Sequence, residues 1–295
     1  MRPALDRPAL AAGGFCYLIW GLMPLLFQAC ARAGASSWEV VAERSIWSLP
    51  CALALVAVTG AFGSVRAVLT DPKTLMWLVF SAALVATNWI LYVWAVQNHH
   101  TLSAALAYYI NPLMSMAAGA ALFGERLDRI GIGAIVLAVV GVVFQAVALG
   151  EWPWASLAMG GAFCGYGIVR KRVSVDAQTG LLVETALLAV PAAAYAIWLA
   201  HSGGGVFGKT SEATWLLLAC GPITVFPLAA FAFAARRLSL TLIGFMQFFA
   251  PTVQFAIGVA AGEPLTPMRI ASFGFIWAGA AVFAWGMVRA ARRAA

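Results

Sequence analysis

The sequence predicts an all-α integral membrane protein of ten transmembrane helices, built as two inverted repeats of five. Three observations predict it. Of 295 residues, 63% are hydrophobic and 10% charged, where an ordinary soluble domain carries about 25% charged residues. The uncharged runs have the length of membrane spans. The second half of the chain also repeats marks found in the first.

A helix needs about 20 apolar residues to cross a hydrocarbon core about 30 Å thick. The uncharged runs 8–31, 45–65, 130–150, 152–169, 185–208, 213–235, 238–262 and 270–288 each hold one span. Run 74–124 holds two, divided near Gln97, Asn98, His99 and His100. The expected spans are 9–30, 38–59, 74–96, 101–123, 130–149, 153–169, 178–200, 213–235, 239–261 and 270–288. Little chain is left over for a soluble catalytic or nucleotide-binding domain.

The formal charge is +7. With these spans, 14 of the 18 Lys and Arg fall on the side of the N-terminus, Arg170, Lys171, Arg236 and Arg237 among them. Arg32, Arg44, Lys209 and Arg269 fall on the other side or in its half of the membrane. The positive-inside rule then places both termini in the cytoplasm. The basic excess is a topology signal aided by anionic lipid, and no nucleic-acid partner is read from it. The five cysteines, Cys16, Cys30, Cys51, Cys164 and Cys220, lie in apolar runs without a C-x-x-C pair, so neither disulfide nor metal site is expected. The first apolar run is too long for a signal-peptide core and reads as an uncleaved span.

The repeat rests on ordered matches. Glu43 and Pro50 in span 2 correspond to Glu184 and Pro191 in span 7, at offset 141. Pro112 and Gly119 in span 4 correspond to Pro251 and Gly258 in span 9, at offset 139. Gly124-Glu125 is echoed by Gly262-Glu263, Arg129-Ile130 by Arg269-Ile270, and Trp20-Gly21 by Tyr166-Gly167. The expected halves are 1–150 and 151–295. Five spans is an odd number, so the second half enters from the opposite side, as in many secondary transporters. Proline frees a backbone carbonyl within a span, and the Pro112/Pro251 pair is a candidate lining of the pathway.

Several motifs follow this order: Phe15-x-Tyr17-x-x-Trp20-Gly21-x-x-Pro24, Arg44-x-Ile46-Trp47-Ser48, Asn88-Trp89-x-Leu91, Tyr109-Ile110-Asn111-Pro112-Leu113 and Ala177-Gln178-Thr179-Gly180. Together they resemble the RarD family of EamA-type transporters, within the drug/metabolite transporter superfamily, over nearly the whole chain. The resemblance implies a ten-helix inner-membrane permease exporting small metabolites or drugs. Other family members carry His before the span-2 arginine. This chain has Glu43 there, so a proton role for that histidine does not transfer.

Ionisable groups within spans are rare, because a charge at the bilayer centre costs about 2.5–3.5 kcal/mol on the mildest scale. Glu43, Arg44 and Glu184 are therefore the candidates for gating or proton coupling. A static ion pair that fixes packing is the competing reading. Asn88, Tyr92 and His99 share one face of span 3. Tyr108, Asn111 and Ser115 share a face of span 4, and Gln247 and Gln254 a face of span 9. Such groups need a neighbouring helix, water or solute as partner. Tyr17, Trp20, Asn88, Tyr92, Tyr108, Asn111, Pro112, Gln247 and Pro251 are the expected lining. His99 and His100 point about 100° apart if helical and chelate poorly.

Gly203-Gly204-Gly205-Val206-Phe207-Gly208-Lys209-Thr210 matches G-x-x-x-x-G-K-[ST]. It falls between two membrane helices rather than between a strand and a helix, and ATP binding is not expected. Gly161/Gly165 and Gly258/Gly262 read as close-packing pairs. The expected function is a secondary transporter for a small-molecule solute, with protons as a further partner and no cofactor. A channel, a receptor and a membrane-embedded enzyme are the alternatives. The enzyme ranks last because no H-E-x-x-H or G-x-S-x-G motif is present.

Overall fold

A computed structural model describes residues 6–98, 100–124, 129–149, 154–238, 240–260 and 265–292. Among these residues lie twelve α-helices and no strand. Helix α1 spans Arg7–Arg32, α2 Ser37–Thr59, α3 Phe62–Thr70, α4 Pro72–Gln97, α5 Thr101–Phe123 and α6 Arg129–Leu149. Helix α7 spans Trp154–Arg172, α8 Ala177–Ser202, α9 Ser211–Arg237, α10 Leu240–Gln247, α11 Phe249–Ala260 and α12 Pro267–Arg292.

The helix starts follow the capping residues in the sequence. The side chains of Asp6, Ser36, Asp71, Asp176 and Thr210 accept from the first-turn amides of α1, α2, α4, α8 and α9, groups with no partner inside the helix. Helices α2 and α8 end on Gly60 (φ 66°) and Gly203 (φ 71°), a left-handed conformation that favours glycine.

Seven helical stretches are long and apolar enough to cross a membrane: Arg7–Arg32, Ser37–Thr59, Pro72–Gln97, Ala104–Phe123, Ala177–Ser202, Ser211–Arg237 and Leu242–Ala260. Helices α6 and α12 carry shorter apolar segments, Arg129–Phe144 and Ile270–Phe283. The chain is thus an all-helical, multi-pass membrane protein. Two expectations need correction. A short helix, α3, follows span 2 and was not foreseen. Span 9 keeps its place as the stretch Leu242–Ala260, but its helix divides at Phe248 into α10 and α11. Pro251 is the physical cause: it has no amide to offer the Gln247 carbonyl, and its ring crowds that carbonyl. Around the break, the Phe248 amide reaches back three residues to Phe245 O, at 3.2 Å.

Helix α6 packs along α12, α2 along α8 and α9, α5 along α7 and α10, α1 along α9 and α11, and α4 along α7 and α8. Hydrocarbon gives helices no hydrophobic reason to associate, so small residues that permit close approach dominate such contacts. A Cβ on Gly279 of α12 would stand 2.7 Å from the Ala134 carbonyl of α6. At the same interface the Ser272 hydroxyl donates to the Gly141 carbonyl at 2.7 Å. A Cβ on Gly221 of α9 would collide with the Trp47 carbonyl of α2.

Candidate functional site

The middle of the bundle holds a layer of buried polar side chains from α1, α2, α4, α5, α10 and α11. Asn111 donates to Gln247 Oε1 at 3.0 Å, joining α5 to α10. Gln254 of α11 donates to the Tyr92 hydroxyl and to the Trp20 carbonyl, both at 3.1 Å. Asn88 donates to the Met159 carbonyl at 3.0 Å. Tyr92 and Tyr108 meet edge to face, with centroids 5.2 Å apart, and Tyr17 and Trp20 do the same at 5.6 Å. The layer is not saturated. The Tyr17 hydroxyl, Arg44 Nη1, Asn111 Oδ1 and Gln254 Oε1 are buried without a hydrogen-bond partner among the described residues. Unsatisfied polar atoms at this density fit a place for water or solute.

Arg44 enters this layer from α2. Its Nε donates to the Thr224 hydroxyl at 2.7 Å. Its guanidinium lies 4.1 Å from the centroid of the Trp89 ring and 5.6 Å from that of Phe27. It lines a cavity of about 20 Å³ with Trp20, Asn88, Tyr92, Tyr108 and Phe163. A second cavity of about 20 Å³, touched by Gln247 and Ser115, lies across Phe163. Beyond Phe231 opens a vestibule of about 450 Å³ that reaches the exposed Lys171 and Arg236. Trp20, Phe163 and Phe231 form a three-ring cluster, with centroids 5.5 to 5.7 Å apart. Phe231 stands between the vestibule and the middle cavity, and Phe163 between that cavity and the one at Arg44.

Glu184 sits beside the vestibule wall. It accepts from Ser81 Oγ at 2.6 Å and the Tyr166 hydroxyl at 3.4 Å, and pairs with Arg170 Nη1 at 3.6 Å. Arg170 also donates to the carbonyls of Asp176 and Ala177. Its guanidinium occupies the space that a side chain on Gly180 would need. Arg170, counted in the sequence only among the cations on the side of the N-terminus, has a side chain 9% exposed and is the partner of Glu184. Glu43 and Arg44 are adjacent in sequence yet do not pair among the described residues. The Glu43 carboxylate instead accepts from Trp47 Nε1, one turn on, at 2.9 Å.

The opposite end is shut. Glu39 Oε1 accepts from the backbone amides of Val206 and Phe207 at 2.6 and 3.0 Å. These amides belong to the glycine-rich loop that resembles a nucleotide-binding loop. The loop does cradle an anion, but the anion is this chain's own carboxylate. Near it, Ser37 donates to Gln97 at 2.6 Å, and Gly221 lies against Trp47.

Most expected lining residues fall in or beside the central layer: Tyr17, Trp20, Asn88, Tyr92, Tyr108, Asn111 and Gln247. Pro251 is buried in α11. Pro112 lies within α5, which runs through it as one helix. His99 lies outside the described residues. His100 stacks on Trp94 at 5.4 Å. Among the described residues no cluster of three or more His, Cys, Asp and Glu is gathered as metal ligands would be. Thr224, Phe163, Phe231 and Ser81 were not singled out in the sequence, and Trp89 and Arg170 were named there only within a motif and the charge count. The aromatic and hydroxyl residues among them look there like any apolar or small residue of a span.

The fold and this buried polar layer define a membrane transporter, and the EamA-like transporter family matches residues 10–147. The chain belongs more narrowly to the RarD family. Protein RarD of Streptomyces exfoliatus is 38% identical over 98% of this chain and 91% of its own length. An uncharacterised transporter of Vibrio cholerae is 36% identical, covering 94% and 93%. A crystal structure sharing 20% identity superposes with a TM-score of 0.66, over 93% of this chain and 96% of that one, and supports the fold alone.

Proposed function

We propose that the chain is a secondary transporter of ten membrane helices in two inverted halves, 1–150 and 151–295, exporting small metabolites or drugs by alternating access. One observation carries the reading: an unsaturated polar layer at mid-bundle is shut tightly at one end and faces a vestibule across aromatic rings at the other. Helix pairing supports the repeat. Exchanging α1 with α7, α2 with α8, α4 with α9, α5 with α10–α11 and α6 with α12 turns each packing pair named above into another of them or into itself. Charge distribution supports an inner-membrane location with both termini, and the vestibule, on the cytoplasmic side.

Glu184 is the proposed coupling group. Protonated, it no longer neutralises Arg170 beside the vestibule. Glu43, whose carboxylate faces Trp47 rather than a cation, is the corresponding group of the first half. The test is the solute profile of the medium from cells overproducing the native protein, Glu184→Gln at equal membrane level, or neither. Compounds enriched by the native protein alone support coupled export. Equal enrichment by both proteins removes Glu184 from coupling, and three matching media argue against export of cell-made solutes. Saturable counterflow in proteoliposomes separates this carrier from a channel.

A further inference from the structure

We propose that Arg44 binds the carboxylate of the transported solute, and that this solute is an organic monoanion with a flat apolar body. The proposal rests on the transporter reading and names the substrate class of its central site.

The argument begins with a contrast inside one molecule. Among the described residues two arginine side chains lie within the bundle, with 3% exposure at Arg44 and 9% side-chain exposure at Arg170. Arg170 has its carboxylate, Glu184. Arg44 has none among the described residues: the adjacent Glu43 is turned to Trp47, and Glu39 to the loop amides. The Arg44 guanidinium is held from one side by Thr224 and lies against Trp89, while Nη1 has no partner. A buried charge is tolerated when paired and hydrogen-bonded. Cation–π contact with Trp89 supplies part of that compensation, but it supplies no negative charge. The missing partner is an anion from outside the chain.

The surroundings narrow the chemistry. A planar guanidinium with free N–H groups matches a planar carboxylate. One uncompensated positive charge neutralises one negative charge, and a dianion would leave one buried and unpaired. The other walls are mostly rings and apolar groups, Trp20, Tyr92, Tyr108 and Phe163 with Met23 and Leu228, beside the single amide of Asn88, and they suit a flat apolar body. The cavity of about 20 Å³ has room for about one water in this closed arrangement. The solute therefore enters with Phe163 displaced, from the side of the vestibule.

The test uses purified full-length protein in lipid nanodiscs, titrated with benzoate and indole-3-acetate and with their neutral counterparts, benzamide and indole-3-acetamide. Calorimetry and thermal shift are read together. A carboxylate should bind about tenfold or more tightly than its amide, the scale of a charge-assisted hydrogen bond. Arg44→Gln should erase the preference, and Arg44→Lys should keep part of it. The thermal shift of the native protein gives the same discrimination should Arg44→Gln fail to fold. Equal binding of acid and amide, a preference that survives in Arg44→Gln, or no binding of either acid overturns the proposal. Counterflow restricted to neutral solutes would remove the anion assignment and leave the carrier standing. Retained carboxylate preference without saturable flux would do the reverse.

Discussion

Glu184 decides whether Arg170 is a tolerable residue. Both side chains are almost wholly buried, so removal of one partner strands the other charge. Breaking such a pair costs about 3–5 kcal/mol, whereas replacing both partners by apolar groups of similar volume is often neutral. Glu184→Leu alone should lower the unfolding temperature in detergent markedly, and Glu184→Leu with Arg170→Met should recover most of the loss. Additive losses in the double variant would argue against direct pairing. Glu184 was legible as a candidate because a carboxylate inside an apolar run stands out. Its partner was not, because Arg170 belongs to the run Arg170-Lys171-Arg172, which reads as a solvated helix end. The first of these three cations turns inward to Glu184, into space left by the absent side chain of Gly180. Glu39 was hidden differently. It stands in the first turn of α2, where an acid is expected for the helix dipole alone, and its loop partners lie 167 and 168 residues away.

At the level of helices, the spacing of charges made the spans readable, but the contacts between them followed from glycines that look interchangeable in sequence. Gly221→Ala should push α9 from α2, since the added methyl meets the Trp47 carbonyl. Overpacking of this kind costs about 1–3 kcal/mol. Gly274→Ala, where nothing lies within 4 Å of the added carbon, should leave the melting temperature unchanged. Comparing the two by thermal unfolding checks the packing directly, and equal effects would contradict it. The matched prolines teach a related limit. Pro112 and Pro251 correspond in the proposed repeat, yet α5 continues through the first while α10 and α11 part ahead of the second. A missing amide makes a break available, and tertiary packing decides whether the chain takes it.

Across the whole molecule, Phe231 lines both the vestibule and the middle cavity, and Phe163 lines both the middle cavity and the one at Arg44. Truncating Phe163 and Phe231 to Ala should join these spaces. Cys164, which lines the middle cavity, reports it. With the other four cysteines replaced, Cys164 should react severalfold faster with a small water-soluble thiol reagent in the double variant than in the same background with both phenylalanines intact. An unchanged rate would mean that the rings are packing and not a barrier. The all-helical, multi-pass outline was readable from hydropathy, but the asymmetry between its ends was not. It depends on which side chains meet across the two halves in this conformation.

The lone guanidinium of Arg44 has an electrical consequence. A site that is +1 when empty and neutral when loaded with a monoanion makes the empty return the voltage-sensitive half of the cycle. In a cell that is negative inside, an empty positive site is drawn toward the cytoplasm, with up to about 2.3 kcal/mol available per 100 mV if the charge senses the whole field. The resting potential would then reset the carrier inward after each release, and outward flux would increase with membrane polarisation.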